Sequence, residues 1–290
     1  MAKQKLDTQA IGLDAGLAFT KWLTGAENLH YGLWTGLEVT AGNLRAAQDA
    51  YTDKLFKLLP DTPVRILDIG GGAGETAKKL LALGHSVDIV VPSPFLAARC
   101  RENAPDATVY EHKFEDFQTD QRFDLCLFSE SYQYIPLDQG LTKCLELLTP
   151  EGHIIISDCF RTQEYSVDKS QAKVGGGHRE WRFREMLETA PVGVISEEDI
   201  TEAVAPSVDL EQALFNVFGY ALTRVDQELS AKRPKIRWMI NRVIRLMIND
   251  RKRARLDQRL NQKTRTAENF IKYNRYVMMK LRPTSDADQS

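Results

Sequence analysis

The stretch from Arg65 to Gly74, RILDIGGGAG, constrains the fold more than any other. A short apolar strand runs into a glycine loop. From Glu75 to Leu83, the apolar residues Ala77, Leu80, Leu81 and Leu83 then share one helical face. Glycine is needed where backbone turns sharply or lies against a ligand, because a Cβ would collide. A loop opening onto a helix N-terminus also presents free N–H groups, which favour a carboxylate or phosphate. The spacing is Asp68-x-Gly70-x-Gly72-x-Gly74, one residue tighter than the G-x-G-x-x-G of dinucleotide-binding crossovers.

The rest of the chain alternates in the same way. Leu17–Leu23 reads as a helix, and Leu37–Leu59 as a long one stopped by Pro60 and Pro63. Strands are expected at Ser86–Val91, Thr108–His112, Phe123–Ser129 and His153–Ser157, with helices at Phe95–Glu102 and Leu137–Leu148. Short connections between strand and helix argue a doubly wound, mostly parallel sheet, with ligands outside the strands' carboxyl ends. Arg161 to about Arg184 is polar and contains a Gly175–Gly177 run, which reads as a flap. Val192–Ile195 reads as a sixth strand, Asp209–Leu229 and Lys235–Asn261 as helices, and Tyr276–Leu281 as a late strand.

The glycine loop resembles the first motif of class I S-adenosylmethionine-dependent methyltransferases. Upstream, Asn28-Leu29-His30-Tyr31-Gly32-Leu33-Trp34 resembles the His-Tyr-Gly segment of several small-molecule families. These include sarcosine and dimethylglycine, phosphoethanolamine and tocopherol methyltransferases, and cyclopropane fatty acid synthases. The resemblance implies a Rossmann-like methyltransferase fold with an antiparallel edge hairpin and helical N- and C-terminal caps. It implies S-adenosylmethionine as cofactor and methyl transfer to a small-molecule or lipid-like acceptor. The implied organisation is an N-terminal cap over 1–60, a cofactor core over 61–160, a flap and helical lid over 161–275, and a final strand and tail over 276–290.

By the same resemblance Gly70, Gly72 and Gly74 admit the methionine part, Asp68 supports the loop and Tyr31 covers the methionine end. Phe114 stacks on the adenine, Glu115 meets its amino group, and Ser129 belongs to the cofactor contacts. Glu130 and Tyr132 face the acceptor, and His30 lies near it. For the base, Glu130, His30, His178, Asp158 and Tyr132 all stand as candidates. Two departures are visible. Where cyclopropane synthases carry a Glu-His pair, this chain has Gln133 and Tyr134, which argues against cyclopropanation. Where the second strand ordinarily ends in an acid for the ribose, this chain has Val91, and Asp88 comes three residues too early. With an otherwise ordinary pocket, Val91→Asp is expected to tighten cofactor binding. The missing acid also keeps open a reaction other than methyl transfer. A nicotinamide dehydrogenase fits less well.

Charge is uneven. Between Lys232 and Arg265 there are 13 Lys or Arg against 2 Asp, a formal +11 in a chain of net −2. Ile236, Met239, Ile240, Val243 and Met247 recur there at helical spacing, with Arg237, Arg242 and Arg245 off the stripe. Residues 235–265 are thus either a lid packed by its stripe or a peripheral contact with an anionic membrane. A non-catalytic recruiting module follows from the second reading. Sparse aromatics argue against nucleic acid. The four cysteines have no metal-like spacing, no metal site is expected, and a polar N-terminus shows no signal peptide, so a cytoplasmic location is expected. Oligomeric state is not set by the sequence.

Overall fold

The computed structural model describes residues 8–168, 174–247, 249–261 and 264–284. Among them, one sheet contains β1 (Arg65–Ile69), β2 (Ser86–Val90), β3 (Thr108–Tyr110), β4 (Phe123–Ser129), β5 (Leu148–Arg161), β6 (Val192–Asp199) and β7 (Asn274–Pro283). Their spatial order is β3-β2-β1-β4-β5-β7-β6. The first five run parallel, and β7 runs antiparallel between β5 and β6. Helices α1 (Thr8–Thr24) and α2 (Leu44–Phe56) precede the sheet, and α3 (Glu75–Ala82), α4 (Pro94–Asn103) and α5 (Leu137–Leu147) cross between parallel strands. Helices α6 (Gln163–Val167) and α7 (Glu180–Thr189) separate β5 from β6. Between β6 and β7 comes the helical excursion: α8 (Thr201–Val204), α9 (Pro206–Lys232), α10 (Pro234–Met247), α11 (Asp250–Asn261) and α12 (Ala267–Tyr273).

Alternation along the central strands fills two apolar layers. Ile66, Leu125, Leu127 and Ile155 face one layer with Tyr51, Leu55 and Leu80. Leu67, Ile69, Cys126, Phe128 and Ile156 face the other with Leu141 and Phe183. All four cysteines are buried and unpaired.

Several elements differ from the sequence expectation: β5 starts at Leu148, α6 and the start of α7 lie in the expected flap, and three further differences have a visible local cause. The long helix begins at Leu44, because residues 35–40 turn through Gly36 at φ 76° before a 3-10 turn at Ala41–Asn43. The helix expected over Lys235–Asn261 breaks, because Asn249 Oδ1 accepts from the Lys252 N–H at 2.9 Å and so caps a new helix. The Gly175–His178 segment lies against the sheet rather than free of it. The Arg161 N–H donates to the His178 carbonyl at 2.7 Å, and His178 Nε2 lies 2.8 Å from the Ile135 carbonyl. Residues 169–173 of the expected flap lie outside the described residues.

Candidate functional site

Parallel strands β1, β4 and β5 deliver their carboxyl ends to one edge of the sheet, and β7 returns alongside. After β1 the glycines of the loop have φ of 73° (Gly70), 56° (Gly72) and 88° (Gly74), a region that side chains disfavour. A Cβ on Gly70 would sit 2.4 Å from Ser131 Cβ, and one on Gly74 would sit 2.9 Å from Cys100 Cα. Gly72 is the open position, with only Leu29 Cδ1 nearby at 3.5 Å. Beneath the loop, Asp68 is 1% exposed and neither carboxylate oxygen has a partner among the described residues. Burial pushes its carboxyl up to about 7. An orphaned buried acid under an open glycine backbone fits the ammonium end of a methionine-derived ligand, directly or through water. The Asn28 Nδ2 and Gln48 Oε1 atoms are likewise buried without partners.

The strongest chemistry sits after β4. Among the described residues Glu130 is the one non-glycine residue at positive φ, 58°. Its N–H donates to the Ser157 carbonyl at 2.8 Å, which holds the backbone in this strained region. Its Oε1 accepts from the Tyr31 N–H at 2.7 Å and from the Tyr276 hydroxyl at 2.9 Å. Oε2 has no partner among the described residues. Behind Tyr276, the Tyr51 hydroxyl lies 2.9 Å away and 2.7 Å from Ser157 Oγ. Burial pushes the Glu130 carboxyl up to about 8, against the two hydrogen bonds that lower it, and Asp158 adds to the rise. Asp158 itself is raised to about 7 by burial. It accepts from the Gln133 N–H at 3.0 Å and the Cys159 N–H at 2.7 Å, so it pins the turn after Glu130.

Glu130 forms part of the floor of a cavity of about 1320 Å³. Phe19 and Leu23 of α1 and Leu210, Leu214 and Phe218 of α9 wall it, and Arg161, Arg259 and Arg265 also line it. The Arg161 Nε and Arg265 Nε are buried without partners, while Arg259 and Arg265 share Glu211 at 3.1 and 2.7 Å. Leu29 lines this cavity and also approaches Gly72, so it stands between cavity and loop. A second cavity of about 720 Å³, around Trp34, Lys54 and Glu198, includes neither Glu130 nor the glycine loop.

The remaining sequence-predicted residues divide. Tyr31 and His30 line the large cavity. His30 stacks on Tyr51 with centroids 4.5 Å apart, its Nδ1 lies 2.8 Å from the Tyr31 carbonyl, and burial depresses its pKa to about 4. It is therefore a neutral ring that orients Tyr31. Ser129 is half-buried, 3.3 Å from the Tyr51 hydroxyl, and Glu115 is half-buried in the turn after β3. Tyr132 does not face the cavity. It is wholly buried, edge-on to Phe128 and Phe183, and its hydroxyl donates to the Leu137 carbonyl at 2.8 Å. Phe114 is core as well, edge-on to Phe128 and so not free to stack on a ligand. Val91 is wholly buried in the apolar layer with Ala97 and Cys100. Asp88 faces elsewhere, as the sequence implied, and accepts from Arg65 at 2.9 and 3.0 Å. Tyr51 and Tyr276 were missed, since 225 residues separate them and no local pattern joins them.

The strand order, the reversed β7 and the glycine loop after β1 together define the Rossmann-like methyltransferase fold. Residues 66–152 match the methyltransferase-domain family. An uncharacterized methyltransferase of Staphylococcus carnosus is 27% identical over 122 residues, which cover 41% of this chain and 58% of that relative. The shared part is thus little more than half of the relative. A putative sarcosine dimethylglycine methyltransferase from Galdieria sulphuraria has a similar fold, with a TM-score of 0.63 at 16% identity, covering 93% of this chain and 99% of the other. The [4+2]-cyclase SpnF also gives 0.63 at 16%, covering 96% of each.

Proposed function

We propose that the protein transfers the methyl group of S-adenosylmethionine to an amphiphilic, lipid-like small molecule, with Glu130 as proton acceptor. The observation that carries this reading is the free Oε2 of a strained, half-buried Glu130 that lines a large, mainly apolar cavity. The cofactor supplies an electrophilic methyl on a sulfonium. Gly72 gives its methionine end access to the backbone, Asp68 offers a negative charge, and Tyr31 closes over it. As the acceptor nucleophile bonds to the methyl carbon and the S–C bond breaks, Glu130 Oε2 takes the nucleophile's proton. Tyr31 N–H and the Tyr276 hydroxyl hold Oε1 still, so the carboxylate is already aimed. The apolar walls from α1 and α9 exclude water. Arg161, with its unpaired Nε, suits an anionic group on the acceptor.

A second reading rests on Val91. An apolar residue at the ribose end, and a cyclase with the same fold, both fit a bound cofactor that is not a methyl donor. Incubation with methyl-labelled cofactor and a lipid extract separates the two. Label in an organic-soluble product is the expected result. Cofactor binding by calorimetry without label transfer to any fraction would favour the second reading, and absence of both would leave a non-catalytic module.

A further inference from the structure

In a water-soluble domain an amphipathic helix buries its apolar stripe. Helix α10 does not. Ile236, Met239, Ile240 and Val243 on the stripe are exposed, and Leu246 is 82% exposed. The side chain of Met247 lies outside the described set. Trp238 is 63% exposed, with the Arg242 guanidinium 5.4 Å from its ring centre. The packed-lid expectation for the stripe therefore fails.

Helix α9 carries a matching track. Leu210, Leu214, Phe218, Leu222 and Val225 follow one another at helical spacing. The first three line the large cavity, while Leu222 and Val225 lie beyond it and are exposed. One apolar surface thus runs from the cavity wall out along the helix. Trp22, which also lines the cavity, is 78% exposed, and so is Tyr134 at 77%. On the other side of α9, a Cβ on Gly219 would sit 2.1 Å from the Leu260 carbonyl oxygen, so α11 packs there and leaves the track open.

Charge decides what covers this surface. The segment from Lys232 to Arg265 is strongly basic. Arg237 is paired with Asp226, but Arg242 and Arg245 have no acidic partner among the described residues. A second copy of the chain would oppose one basic surface to another across a two-fold axis. A nucleic acid would leave the aliphatic side chains unmatched. An anionic lipid surface satisfies both features, taking the apolar stripe into its acyl boundary and the arginines among its headgroups. Among the described residues no helix is long and apolar enough to cross a membrane, so the helices lie in the interface plane.

We infer that α9–α10 is an interfacial element that seats the cavity mouth on an anionic lipid surface, so that the acceptor enters along the α9 track. The docking stands on exposure and charge alone, whereas the entry route rests on the methyltransferase reading. The full chain, without cofactor, is floated with phosphatidylcholine vesicles with and without phosphatidylglycerol. Binding to the anionic vesicles at low salt, lost at high salt, is expected. The pair Arg242→Gln and Arg245→Gln lowers partitioning roughly thirtyfold, and Leu246→Ser lowers it with the charges intact. Neither change touches the cavity, so cofactor affinity by calorimetry stays unchanged. Absence of flotation at low salt overturns the docking. So does a concentration-dependent dimer that Leu246→Ser abolishes, since a second copy then covers the stripe. If docking holds, methylation of an acceptor in anionic vesicles should exceed that in neutral ones. Docking without any methyl transfer would locate the failure in the proposed reaction instead.

Discussion

The two halves of the sheet's carboxyl edge are chemically unlike. Around β4, β5 and β7 the chain buries Asp158 and half-buries Glu130, beside the hydroxyls of Tyr51, Tyr276 and Ser157. Around β2 and β3 it buries Val91 and Phe114, and Tyr110 packs on Phe117 at 4.9 Å. Burying an acid without a cation costs several kcal/mol unless the group is neutralised. A fold tolerates that where the group does work, and fills the remaining space with hydrocarbon. Under the proposed methyl transfer the first half is the reactive one, while in the second the acid of β2, Asp88, is held by Arg65 and the Tyr110 hydroxyl.

If the first half is the reactive one, Glu130→Gln should have the largest effect. It keeps the shape and the Tyr276 contact but cannot take a proton. A fall of about 10²–10⁴ in kcat is expected, with cofactor affinity by calorimetry nearly unchanged. Because Glu130 sits at φ 58°, Glu130→Gly should fold at least as well and be as inactive. Full activity in the Gln variant would remove the distinction between the halves.

The second half is tested by Val91→Asp, and here the structure reverses the sequence expectation of tighter binding. The side chain is wholly buried in the apolar layer with Ala97 and Cys100, so the new carboxylate would be desolvated among them. A loss of about 3 kcal/mol of stability is expected by urea titration, together with weaker cofactor binding. Tighter binding in a stably folded variant would show that this half can be re-aimed toward the ligand.

What the sequence made legible follows the range of the interactions involved. The glycine loop and the individual strands were readable because each depends on a local pattern, whereas the reversal of the late strand came from the family resemblance, since its partners lie about 75 to 130 residues away. Glu130 was readable as an acid at a strand end. Its partner Tyr276 was read only as part of a late strand, because their hydrogen bond joins positions 146 residues apart. Tyr132 and Phe114 were misplaced for a related reason. Residue type and position do not reveal whether a ring in a 3-10 turn points outward or, as here, inward to Phe128. The stripe on α10 was plain in the sequence, but its exposure depended on where α9 and α11 left room.

A finer test within the reactive half is Tyr276→Phe. The hydroxyl lowers the Glu130 pKa by donating to its charged form. Removing it should move the ascending limb of the pH–rate profile upward by about one unit, because one charge-assisted hydrogen bond is lost. Activity near neutrality would fall about tenfold and recover at higher pH. A uniform loss at all pH values would instead mean that Tyr276 acts only through packing.

The smallest expected effect concerns stability without ligand. Glu130 titrates near 8 in the folded chain against 4.5 in the unfolded one, and Asp68 and Asp158 near 7 against 3.8. Across this window the folded state holds more protons than the unfolded state. Stability should therefore fall as pH rises, and level off above the folded values. His30 works in the opposite sense, but only between about 4 and 6.5, because its folded value lies below its unfolded one. Between 7 and 8 Asp68 and Asp158 still lose protons, so Glu130 is isolated by the difference between wild type and Glu130→Gln, where its share of the slope should be about 1 kcal/mol per pH unit. Urea midpoints should decline over that range in the wild type and decline less in Glu130→Gln. Tyr110→Phe, in the apolar half, should leave the slope between 7 and 8 as it is. Equal slopes in wild type and Glu130→Gln would mean that Glu130 is already ionised near neutrality, leaving it too weak a base to set the pH dependence of the reaction.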